Sequence, residues 1–164
     1  MAIQLKHTFT IPATVERVGQ ALCSEAYSIE GANLREDVQS ATHAVISDGA
    51  GRLEYEVRYV EYARTKTGKI DRSRTQNARA RSVWDQKART LRWIYTTDVS
   101  ERFRMEGVYR LTEQGEATHV DYQVTVDVRI PIIGNQIAKL VAKGVKNEFP
   151  QLQALLTRYA CQGS

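Results

Sequence analysis

The sequence predicts an α+β fold in which a curved antiparallel sheet wraps one long C-terminal helix, and three observations carry that prediction. Residues 3–11, IQLKHTFTI, alternate with the period of two of a strand. From 36 to about 130 further alternating runs follow one another, separated by turn residues. From Gly134 to Cys161 the apolar period changes to that of a helix. The element order is therefore a strand, two short helices, a run of about six strands and a long helix.

In the first strand, Ile3, Leu5, His7, Phe9 and Ile11 share one face. Pro12 ends it and suits a first helical turn, after which Val15, Val18 and Leu22 recur at helical spacing, giving a helix over about 13–23. A second short helix, about 24–31, closes at Gly31. Val38, Ser40, Thr42, Ala44 and Ile46 alternate up to the turn Ser47-Asp48-Gly49-Ala50-Gly51. Leu53, Tyr55, Val57 and Tyr59 alternate after it, so the two runs form a hairpin. The polar stretch 64–76 reads as a long loop or an exposed hairpin end.

Four more strand faces follow: Ala78, Ala80, Ser82 and Trp84; Leu91, Trp93 and Tyr95; Phe103, Met105, Gly107, Tyr109 and Leu111; then Val120 to Ile130 by twos. Opposite them stand Arg79, Arg81, Arg92, Arg104, Glu106, Arg110, Asp121, Gln123 and Asp127, a face that water can cover. Burial on one face only means an antiparallel sheet. In the last segment Ile137, Leu140, Val141, Val145, Phe149, Leu152, Leu155, Leu156 and Tyr159 form one apolar stripe on a helix that Pro150 is expected to kink.

The chain has 164 residues, 42% hydrophobic and 26% charged, enough for a single domain over 1–164 with its own core. Cys23 and Cys161 lack the short spacing of a zinc or redox site and read as reduced thiols. The N-terminus has no signal-peptide core and no stretch is apolar enough to span a membrane, so a cytoplasmic location is expected. The net charge of +4 is spread among acids along the chain, as on an ordinary solvated surface.

The order of elements, with Ile11-Pro12-Ala13 opening the first helix and Ile130-Pro131-Ile132-Ile133-Gly134 leading into the last, resembles the START-like, or Bet v 1-like, helix-grip superfamily. Within it the chain is most similar to an uncharacterised bacterial group of the DUF2505 type. That resemblance implies seven strands curled around the C-terminal helix, with a cavity between them that in superfamily members holds sterols, lipids, polyketides or other apolar molecules.

If the alternating faces point inward, Tyr55, Tyr59, Trp93, Tyr95, Phe103, Met105, Tyr109 and Tyr122 converge on the helix stripe at Ile137, Val141 and Phe149. A tyrosine ring is broad and apolar with one polar tip, which suits a pocket that holds a small hydrophobic molecule and orients it by a few polar contacts. Ordinary core packing, each hydroxyl reaching a carbonyl or the surface, is the competing account. The small inward residues Ala78, Ala80, Ser82 and Gly107 either leave volume open or make room for neighbouring rings.

No catalytic residues, metal site or cofactor are assigned. His7, His43 and His119 have no metal-ligand spacing, and Ser82 has no visible triad. Glu54, Glu56, Glu106, Asp121 and Asp127 fall on the outer face, and Glu148, beside Phe149 and the one acid with an inward alternative, reads first as a surface carboxylate on the helix flank. Arg64, Arg72, Arg74, Arg79 and Arg81, with Lys66 and Lys69, make a basic stretch suited to lipid phosphates, leaving contact with a membrane surface open. Without exposed aromatics or a known motif it does not read as a nucleic-acid site. Two alternatives stand beside ligand binding: a polyketide cyclase or dehydratase, which needs an inward acid or histidine, and a protein-interaction module with a filled core.

Overall fold

The structure, a computed structural model, describes residues 2–162. The strands are β1 (Ala2–Ile11), β2 (Val38–Gly49), β3 (Arg52–Arg64), β4 (Ile70–Asp85), β5 (Thr90–Thr97), β6 (Phe103–Gln114) and β7 (Ala117–Val128). The helices are α1 (Val15–Cys23), α2 (Glu25–Asn33) and α3 (Gly134–Ala160). The strands form one antiparallel sheet in the order β1-β7-β6-β5-β4-β3-β2. Strands β2 to β7 are successive hairpins, and β1 closes back on β7, leaving β1 and β2 as the free edges. This is the helix-grip arrangement.

Local chemistry sets the boundaries. Thr14 caps α1 by accepting from the Arg17 N–H, and Ser24 caps α2 by accepting from the Tyr27 N–H. The β2–β3 turn has positive φ at both Ala50 and Gly51, the pattern that matches sheet twist in a two-residue hairpin. Helix α3 runs 27 residues, about 40 Å at ~1.5 Å per residue, and continues through Pro150.

The register bears out most inward faces. In β7 the buried positions are Thr118, Val120, Tyr122, Val124, Val126 and Val128, and in β4 Ala78, Ala80 and Ser82 are buried while Arg79 and Arg81 are exposed. Strand β2 departs from the expected phase. Its partly buried residues are Val38, Ala41 and His43, because the register shift between Val38 and Ser40 moves the alternation by one residue after Val38. The 64–76 stretch is the end of the β3–β4 hairpin, with β4 starting at Ile70, and α2 extends two residues beyond Gly31 to Asn33.

The core is asymmetric. Helix α3 packs against β1, β7, α1 and α2 and stands off from β3, β4 and β5. Its C-terminal half buries Phe149, Leu155, Leu156 and Ala160 against Ile11, Val18 and Leu22. The N-terminal half buries Gly134, Ala138 and Ala142 on one side and faces open space on the other.

Candidate functional site

That space is a cavity of about 1090 Å³ between the inner face of the sheet and the N-terminal half of α3. All eleven residues singled out in the sequence reach its wall: Tyr55, Tyr59, Trp93, Tyr95, Phe103, Met105, Tyr109 and Tyr122 from the sheet, and Ile137, Val141 and Phe149 from the helix. Alternation puts the first eight on one face of β3, β5, β6 and β7, and spacing of four and eight residues puts the last three on one side of α3.

One end of the cavity is solid. The Tyr109 and Tyr122 rings stack at 3.8 Å with 9° between planes, and Phe149 meets Tyr122 edge-on. His7 stacks on Phe149 at 5.2 Å, and its Nε2 lies 2.7 Å from the Gln153 side-chain oxygen. The Tyr55 hydroxyl donates to the Leu22 carbonyl at 3.2 Å, and those of Tyr27 and Tyr109 are 3.5 Å apart. Burial pushes the Tyr27 hydroxyl up to about 12 and those of Tyr55, Tyr109 and Tyr122 well above the ordinary range. These hydroxyls stay neutral.

The small inward residues divide between the two roles. Gly107 makes room for a ring: a Cβ there would lie 2.1 Å from the Trp93 indole. Ala80 and Ser82 instead line the cavity and leave volume open.

The polar wall of the cavity centres on Arg35, between α2 and β2. Its Nε and Nη2 donate to the two Asp37 carboxylate oxygens, each at 3.1 Å, and Nη2 also reaches Glu61 Oε2 at 2.7 Å. The Tyr95 hydroxyl donates to Glu61 at 2.6 Å, and Gln76 Nε2 adds a bond at 3.1 Å. The guanidinium lies over the Tyr59 and Tyr95 rings, 5.6 and 5.7 Å from their centroids. Glu61 is 1% exposed, and paired charges with satisfied hydrogen bonds are what make such burial tolerable. Asp37 and Glu61 hold the Arg35 guanidinium in its charged form against the cost of burial.

Two inward carboxylates correct the expectation that acids lie outside. Glu61 continues the inward alternation Leu53, Tyr55, Val57, Tyr59 by one more step. Glu148 is half-buried and lines the cavity, one turn beyond Gly144 and Val145 and one before Leu152. It has no hydrogen bond or ion pair among the described residues, and burial holds its carboxyl above the usual carboxylate range. Arg35 was also missed, since no period marks it.

The basic stretch is largely paired. Arg74 meets Asp71 at 3.0 Å, Arg81 meets Glu54 at 2.8 Å, Arg79 approaches Glu56 at 4.0 Å, and Arg72 lies over the Tyr62 ring. Arg64 donates to the Gly68 carbonyl at 2.7 Å. Among the described residues no group of His, Cys, Asp and Glu has the geometry of a metal site. No described helix is long and apolar enough to cross a membrane.

Comparison with solved structures finds the same fold at low identity. A protein of Thermus thermophilus is similar at 23% identity over 99% of both chains, with a TM-score of 0.63. The Zhui aromatase/cyclase of a Streptomyces species is similar at 17% identity over 97% of this chain and 94% of that one, with a TM-score of 0.62. A START superfamily protein of Mycobacterium smegmatis is similar at 13% identity over 94% of this chain and 97% of its own, with a TM-score of 0.59. No curated protein sequence matches. A family model described as "Protein of unknown function (DUF2505)" matches residues 6–159, nearly the whole span from β1 to the end of α3. The chain thus belongs to the DUF2505 family, built on a START-like helix-grip fold.

Proposed function

We propose that this domain binds one small, largely apolar molecule in the cavity between sheet and helix, held by the rings of Tyr59, Trp93, Tyr95, Phe103 and Tyr122 and by Ile137 and Val141 of α3. The observation that carries this reading is the unfilled volume itself, about 1090 Å³. Close-packed interiors leave few voids larger than a water molecule, and ligand sites occupy roughly 300–1,000 Å³. A filled-core interaction module has no use for such a space. Burying a ligand there contributes roughly 25 cal/mol per Å² of apolar surface.

The test is a titration of the full chain with a neutral naphthylamine dye. Saturable one-to-one binding with blue-shifted emission and a dissociation constant on the order of micromolar is expected. Emission that never rises above that of the dye in buffer contradicts the reading.

A second reading, acid–base chemistry on a polyketide-like substrate, is favoured by one specific observation, the inward Glu148 with its raised pKa. A carboxyl whose pKa burial raises, facing a cavity, is suited to general acid or base work. This reading requires turnover, so a bound polyketide-like molecule recovered chemically unchanged after prolonged incubation decides for binding alone.

A further inference from the structure

Polar groups along the cavity wall fall into two sets. Arg35, Asp37, Glu61, Gln76 and the Tyr95 hydroxyl satisfy one another, with every carboxylate opposed by a donor. Arg64, 3.7 Å from Asp37, adds to that set. The second set has no such partners. Glu148 and the Tyr59 hydroxyl both face the cavity, and neither makes a hydrogen bond among the described residues. Burial raises the Tyr59 hydroxyl, up to about 12, against the opposing charge of Arg35 and with smaller additions from Glu61 and Glu148. Lys66 and Lys143, the free cations of the lining, are exposed at the rim.

A buried polar group without a partner costs free energy that a ligand can recover by supplying one. The charge of Arg35 is opposed by Asp37 and Glu61, and Arg64 adds a second cation to those two carboxylates, so the cluster is close to neutral. Of the carboxylates on the cavity wall, Glu148 is the one that no donor opposes among the described residues.

We propose that Glu148, assisted by the Tyr59 hydroxyl, is the polar anchor of the bound molecule, and that the ligand is an apolar body carrying a hydroxyl or protonated amine rather than a carboxylate or phosphate. This inference rests on the binding reading above and names the class of molecule that site takes. A carboxylate entering the same end meets Glu148 and the already neutralised Arg35 cluster, so repulsion and desolvation oppose it. A hydroxyl or ammonium finds a half-buried acceptor with no donor of its own among the described residues.

The experiment uses three probes of one chain length, decanol, decylamine and decanoate, each displacing the naphthylamine dye from the full-length protein at neutral pH. Decanol and decylamine are expected to bind at least about tenfold more tightly than decanoate, the equivalent of one charge-assisted hydrogen bond. Glu148→Gln keeps an acceptor and is expected to retain decanol while losing the advantage of decylamine. Glu148→Leu is expected to bring all three probes to similar affinity, with circular dichroism unchanged. Decanoate binding as tightly as decanol in the unaltered protein, or three affinities that ignore both substitutions, overturns the anchor while leaving the cavity reading intact. Failure of the dye itself to bind overturns the cavity reading, and the anchor with it.

Discussion

Arg35→Met is expected to destabilise the protein by about 3–5 kcal/mol, the usual consequence of removing one partner from a buried ion pair. The arginine satisfies Asp37 through two bonds and Glu61 through a third, and Glu61 is 1% exposed. Methionine fills similar space over the Tyr59 and Tyr95 rings but leaves Glu61 with only the donors of Tyr95 and Gln76. For a domain of this size the melting temperature should fall by about 10 °C. The double variant Arg35→Met/Glu61→Met separates pairing from packing. It is expected to recover much of the loss, because apolar replacements for both partners remove the uncompensated charge along with the bond. Thermal unfolding of the three proteins checks this. A single variant as stable as the parent would show that the cluster contributes nothing to the fold.

Narrowing the cavity is expected to have the largest effect on binding. Ala80 on β4 and Val141 on α3 line it from opposite walls. Ala80→Trp/Val141→Trp places two indoles in the space a ligand would use. No single side chain fills so large a volume, so both walls are changed together. Affinity for the dye should fall by more than about tenfold, the equivalent of about 1.4 kcal/mol. Stability should hold or rise, since rings that enter an open apolar cavity fill it without displacing packed neighbours. Dye titration and thermal unfolding of the same preparations give both numbers. Unchanged affinity would put the dye, and the ligand site, elsewhere.

Most of the fold was legible because the signals agreed. Alternation in β3 to β7 and the change of period at Gly134 assign the elements, and hairpin turns leave little choice of topology. The ring-bearing wall followed from the same alternation. Strand β2 was misphased for a physical reason. It is an edge strand with two register shifts, and its bulky neighbours Val45 and Ile46 are both exposed, so neither reports which face is inward.

The charged part of the site was harder to read. Glu61 was in phase with Tyr55, Val57 and Tyr59, but a carboxylate ordinarily marks the outer face, so the alternation was followed only as far as Tyr59. What overrides that rule is Arg35, which lies between elements and outside any period, and which pairs with Glu61 only once β3 lies beside the α2–β2 connection. Glu148 sat beside Phe149 on an amphipathic helix, where a flanking charge is normally solvated. It turns inward here because its side of α3 faces the cavity and not the outer surface. The fit of Trp93 over Gly107 needed the β5–β6 register, which pairs the two residues directly.

The central claim is that the space between sheet and helix is a binding site for a small apolar molecule. Native mass spectrometry of the gently purified full chain, followed by organic extraction and identification of whatever is released, tests it most directly. A mass exceeding that of the polypeptide by one small molecule, lost on extraction and on the Ala80→Trp/Val141→Trp double substitution, is the expected result. A protein that carries nothing, and remains at its polypeptide mass after incubation with long-chain alcohols, amines, sterols and aromatic polyketides, would contradict it.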